Sequence, residues 1–121
     1  KDALAVTGKG KVVRQFPLVP GIDLAGEVVE SSDPAFASGD AVIATGWGLG
    51  EQHDGGFAQF ARLKPEWLLP ARPPLDQRRA MILGTAGFTA ALSVLAIREH
   101  GIAPEDGPVL VTGAGGGVAD Y

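Results

Sequence analysis

The closing segment VLVTGAGGGVADY (Val109 to Tyr121) sets Gly113, Gly116 and Ala119 in a G-x-x-G-x-x-A spacing directly behind an apolar run. That spacing can hold a phosphate. A side chain at the first position would block a tight strand-to-helix turn. One at the second would hold backbone N–H groups away from a pyrophosphate, and the third must be small so that helix packs on strand. A helix starting there would aim its positive N-terminus at the phosphates. The same residues also suit a glycine-rich hairpin or a loose tail, and spacing alone does not separate these readings. Asp120 sets a negative charge where a pyrophosphate would approach. The charged ribose reader expected about 20 residues further on would lie past Tyr121.

Other residues with chemical potential are few. Cysteine is absent, which rules out a Cys-rich tetrahedral metal site. His53 and Asp54 are adjacent, but two ligands do not close a site, and a loop histidine beside an aspartate reads better as solvated surface. Arg14 suits a surface charge as well as an acidic substrate group. His100 complements a helix C-terminus.

Two kinds of element must position these residues. Up to about residue 75, short apolar runs are broken by glycine and proline. Leu24 to Val29, Ala41 to Thr45 and Phe57 to Leu63 are expected strands. Strands this short favour a small barrel over a large open sheet. From residue 76 the pattern turns helical. Asp76 is the expected N-cap of a helix over Gln77 to Leu83. Gly84 to Gly87 interrupts it, and a second helix runs to about Glu99, with Phe88, Leu92 and Leu95 on one face and Gly101 at its C-cap. Ala80 to Ile97 is apolar enough for a membrane span. Its internal glycines, threonines and serine, with Arg78 and Arg79 just before, favour a buried globular helix. Val109 to Thr112 is then a short buried strand, opening an α/β nucleotide-binding domain.

Bulk composition agrees. Of 121 residues, 45% are hydrophobic and 20% charged, which fits a globular protein. The net charge of −4 and the lack of a basic cluster argue against nucleic acid, and no cationic amphipathic face points to a membrane surface. Absence of cysteine and of a signal peptide is compatible with a cytoplasmic protein.

Four segments carry a family resemblance: PGIDLAGEV (Pro20 to Val28), GDAVIATGWGLGEQHDGGFAQF (Gly39 to Phe60), AMILGTAGFTAAL (Ala80 to Leu92) and VLVTGAGGGV (Val109 to Val118). In this order they resemble the medium-chain dehydrogenase/reductase superfamily, in its zinc-free quinone oxidoreductase branch, and within that most nearly the NADPH-dependent acrylyl-CoA reductases. The resemblance implies a mainly β GroES-like barrel over residues 1–75, the catalytic domain. Residues 76–121 then form the beginning of an α/β Rossmann domain: helix, first strand and glycine-rich turn. It implies a fragment, truncated at both ends, because members are considerably longer and continue Gly-Gly-Val with Gly-Ser where this chain reads Ala119-Asp120-Tyr121.

The function implied is NADPH-dependent reduction of an activated C=C bond by hydride transfer, the acceptor being an acyl-CoA thioester or a quinone-like molecule. Gly21-Ile22-Asp23 stands where zinc-dependent members carry Gly-His-Glu, and Ile22 cannot ligate zinc. Lys1 and Asp2 match a Lys-Asp beside the active-site cleft and are the candidate catalytic residues, though at a terminus they could equally fray. Thr85 and Thr89 would lie near the nicotinamide, with helix-interior hydroxyls as the plainer role. Gly113, Ala114, Gly115, Gly116 and Gly117 would hold the cofactor phosphates. Trp47 and Phe57 would form a substrate wall, or pack in the core. The alternative function is a catalytically inactive barrel remnant with a binding or structural role. An unpaired Val109 to Thr112 strand and an uncovered Phe88/Leu92/Leu95 face predict self-association.

Overall fold

A computed structural model describes every residue from Lys1 to Tyr121. The chain divides into two units, Lys1–Ile82 and Leu83–Tyr121.

The first unit is built on an antiparallel sheet of β1 (Asp23–Glu27), β2 (Ala41–Thr45) and β3 (Leu69–Pro70), in that spatial order. The central strand alternates: Val42 and Ala44 are buried, while Ala41, Ile43 and Thr45 are half-buried. That period of two places one row of side chains on the core. β1 pairs with β2 along its whole length, from Asp23 opposite Thr45 to Glu27 opposite Ala41. β3 ends in Pro70, which has no N–H to donate and is tolerated at a sheet edge. Ala44, Leu49 and Trp67 form the core, with Leu24, Leu63 and Leu68 packed against them. The sheet is open. A complete barrel needs an unbroken ring of paired strands, and the barrel expected from the sequence, with its N-terminal strands missing, is represented here by these three.

One local expectation needs correction. Phe57 to Leu63 is not a strand. Phe57 N–H donates to the Pro20 carbonyl, and no backbone bond follows through Leu63. A cleft of about 750 Å³, with β1 on one side and Ala58, Phe60 and Leu63 on the other, separates this segment from the sheet edge it would need. Conversely, Asp2–Thr7 forms a short helix, α1, that periodicity over so few residues did not announce. Ala3, Leu4 and Ala5 are strong helix formers. Gly8 closes α1 in the left-handed region at φ 64°, its N–H on the Ala5 carbonyl.

α2 (Gln77–Glu99) starts as expected. The Asp76 carboxylate accepts the Arg79 N–H at 2.7 Å, satisfying one of the donors a helix start leaves open. Gly84 breaks α2 with φ 45° and ψ −153°, the interruption read from the Gly84 to Gly87 stretch. At the other end, Gly101 (φ 78°) donates to the Arg98 carbonyl at 2.9 Å and Ile102 to the Ile97 carbonyl at 3.3 Å. This is a Schellman closure. Asp76→Ala is expected to cost about 1 kcal/mol, the usual worth of an N-cap. Differential scanning calorimetry checks it, and an unchanged melting temperature would show that the cap contributes nothing.

The expected strand at Val109 to Thr112 does not form. A strand is defined by its partners, and every paired strand of the chain lies within residues 23–70. Phe88, Leu92 and Leu95 are 59%, 50% and 50% exposed, so the apolar face predicted for α2 is not covered by this chain.

Candidate functional site

In the second unit the glycine segment makes two successive turns that share Gly116. Gly116 N–H donates to the Gly113 carbonyl at 2.8 Å, and Ala119 N–H donates to the Gly116 carbonyl at 2.9 Å. Gly113 sits at φ 72°, where a side chain would strain the backbone. No helix follows: residues 114–120 remain in turns and bends. The N–H groups of Ala114, Gly115 and Gly117 make no backbone hydrogen bond. A Cβ at Gly115 would meet nothing within 4 Å, so that face is open to a ligand. Successive unengaged N–H groups in a turn form an anion-binding concavity.

This turn lies against the Gly84 to Gly87 part of α2. A Cβ at Gly117 would stand 3.4 Å from the Ala86 Cβ, and one at Gly87 would stand 3.7 Å from the Tyr121 ring. The two segments expected to meet a dinucleotide are therefore neighbours within one unit. The Thr89 hydroxyl donates to the Thr85 carbonyl at 2.7 Å, one turn back in α2.

In the first unit the long glycine loop holds an aromatic cluster. Gly46, Trp47 and Gly48 have φ of 77°, 54° and 78°, and Trp47 is the chain's one non-glycine residue with positive φ. Such a conformation costs a bulky residue about 1–3 kcal/mol. The Trp47 ring stacks on Trp67, with centroids 6.2 Å apart and planes 14° from parallel. Trp67 is buried and also takes the edge of His53 at 4.7 Å and the Lys64 ammonium at 5.2 Å. Trp47 remains 58% exposed and Phe57 61% exposed, so neither is a core residue. His53 and Asp54 are both engaged structurally, the latter accepting the Val19 N–H at 2.9 Å.

Lys1 and Asp2 do not fray. The Lys1 ammonium pairs with Glu51, and an Asp2 carboxylate oxygen accepts the Ile22 N–H at 3.0 Å. None of Lys1, Asp2, Trp47 and Phe57 lines the cleft beside β1. Sequence reasoning passed over Glu51 and Trp67. Glu51 carries no local signal, whereas Pro65 at the start of the Pro65–Trp67 3₁₀ turn marks the bend that presents Trp67.

Residues 1–73 match the alcohol dehydrogenase GroES-like domain family. The chain is 58% identical over 118 residues to the probable acrylyl-CoA reductase AcuI of Escherichia coli (strain K12), covering 98% of this chain and 36% of that protein. It is 53% identical to the acrylyl-CoA reductase AcuI of Ruegeria pomeroyi, with the same coverage. Among solved structures, the yhdH oxidoreductase from Salmonella enterica in complex with NADP superposes with a TM-score of 0.93 at 58% identity, over 98% of this chain and 36% of that one. The chain thus spans about a third of the length of the relatives it matches.

Proposed function

The chain belongs to the alcohol dehydrogenase GroES-like domain family, and from that premise we propose that it is part of an NADPH-dependent reductase of activated carbon–carbon double bonds. Residues 1–75 would supply the GroES-like catalytic domain and residues 76–121 the beginning of the Rossmann domain. One observation carries this reading. The similarity to acrylyl-CoA reductases runs over 98% of the chain, through both the glycine turn and the aromatic loop.

The residues present fit a dinucleotide. The open N–H groups of Ala114, Gly115 and Gly117 suit a pyrophosphate, and Gly113 and Gly116 keep the turn tight. Thr85 and Thr89, on the neighbouring turn of α2, belong on the nicotinamide side. When bound, NADPH supplies the hydride for the β-carbon of an acyl-CoA thioester or quinone-like acceptor. The protein's part is to orient the acceptor, polarise its carbonyl through hydrogen-bond donors rather than a metal, and admit a proton to the α-carbon. Trp47 and Phe57 wall the acceptor, with Lys1 and Asp2 beside it.

The remaining context is a small-molecule acceptor, no nucleic acid, and a cytoplasmic location. α2 is long and apolar enough to cross a membrane. Its break at Gly84 would leave backbone groups without partners in lipid, which favours a protein environment. The exposed Phe88, Leu92 and Leu95 support self-association of the isolated chain.

Calorimetric titration with NADPH, and NADH alongside, tests the reading on this chain and on the longer protein that carries it. Saturable NADPH binding and NADPH-dependent reduction of acrylyl-CoA by the longer protein are expected. No binding by either up to millimolar cofactor would replace it with a non-catalytic GroES-like fold.

A further inference from the structure

We propose that Asp2 is a positioning residue, whose carboxylate fixes the crossing that carries Trp47 and Phe57. The inference rests on the reading of those two rings as the acceptor wall. Its starting point is the half-buried bond from the Ile22 N–H to the Asp2 carboxylate at 3.0 Å. A backbone amide keeps its proton, so this contact holds geometry and transfers nothing. Charge on the acceptor makes it stronger than a neutral bond.

Ile22 is a junction. Its own carbonyl accepts the N–H of Gly46, the residue before Trp47, at 3.2 Å. The carbonyl of the preceding Gly21 accepts the N–H of Gly56, the residue before Phe57, at 3.0 Å. One residue further back, the Pro20 carbonyl accepts the Phe57 N–H at 3.0 Å. Asp2 therefore holds the peptide from which both aromatic positions are set. Lys1 adds a second tie, because its partner Glu51 lies in the same loop as Trp47. Asp2, the first residue of α1, and Lys1, its N-cap residue, thus reach the two segments that must stay in register. Trp47 needs such a restraint, since its positive φ persists only where its surroundings fix it.

The test compares Asp2→Ala and Asp2→Asn in the full-length protein by steady-state kinetics and by amide hydrogen exchange at Ile22 and Gly46. Alanine removes the acceptor for the Ile22 N–H, while asparagine keeps an oxygen there. Asp2→Ala is expected to raise KM for acrylyl-CoA by roughly tenfold, with a smaller change in kcat, and to speed exchange at both amides. Asp2→Asn is expected to restore most of both. Two results overturn the proposal: Asp2→Asn losing turnover as severely as alanine, which makes Asp2 a proton-transfer group, or Asp2→Ala leaving exchange at Ile22 and Gly46 unchanged. Exchange needs no turnover. A protein inactive on acrylyl-CoA would sink the functional reading while the two amides still decide the role of Asp2.

Discussion

Gly55→Ala is expected to destabilise the first unit by about 3 kcal/mol, the upper range for forcing atoms into a filled site. The added Cβ would come within 2.1 Å of the Gly21 carbonyl oxygen and 2.7 Å of the Pro20 carbonyl oxygen. Both obstacles are backbone and cannot swing aside like the end of a side chain. They are also tied down. Gly55 N–H donates to Val19, Gly56 to Gly21 and Phe57 to Pro20, at 2.8, 3.0 and 3.0 Å. Moving either segment breaks these bonds, at about 1 kcal/mol each. The site is crowded from the other side too, since a Cβ at Gly50 would stand 2.7 Å from the Gly21 nitrogen. Gly8→Ala is the natural control. A Cβ there meets nothing within 4 Å, so only the left-handed φ of 64° opposes it, at about 1 kcal/mol. Urea unfolding should show a lower midpoint for Gly55→Ala with little change in slope. Equal, small losses at both positions would mean that the crossing is looser than its distances imply.

Gly116→Val in the full-length protein is expected to weaken NADPH binding about 100-fold, equivalent to about 2.7 kcal/mol. Gly116 joins both turns of the glycine segment, giving its N–H to Gly113 and its carbonyl to Ala119. A Cβ there already presses on the Gly113 carbonyl at 3.2 Å, and the two methyls of valine would stand in the path of a pyrophosphate. The variant leaves the sheet, its core and the aromatic loop as they are. Calorimetry should therefore show lost cofactor affinity with an undiminished urea midpoint for the first unit. Affinity within about threefold of the parent would place the phosphates elsewhere.

Local rules announced much of this structure. Ala41 to Thr45, a short apolar run behind Gly39-Asp40, is β2 with the same bounds. Asp76, Gly84 and Gly101 act as cap, break and stop of α2, because each works through its own backbone within a few residues. Misreadings arose where the outcome depends on a distant partner. Phe57 to Leu63 and Val109 to Thr112 both have strand composition, yet neither finds a neighbouring strand to pair with. A strand needs such a neighbour, and composition does not supply it. The candidate site divides the same way. The glycine turn is legible from spacing. Its position against Ala86, the stacking of Trp47 on Trp67 and the reach of Asp2 to Ile22 join residues far apart in sequence, and no periodicity encodes them.

The Trp47–Trp67 stack also gives the chain an optical label. These are its two tryptophans and both lie in the first unit, whereas its one tyrosine, Tyr121, lies in the second. Indole rings 6.2 Å apart are close enough for their transition dipoles to couple, and an exciton couplet in far-ultraviolet circular dichroism is expected if those dipoles are turned relative to one another within the stacked planes. The couplet fades when the loop around Trp47 lets go of Trp67, even if the sheet stays intact. Emission excited to the red of the tyrosine band follows Lys1–Ile82 alone. The melting of the first unit can thus be followed with no dye attached.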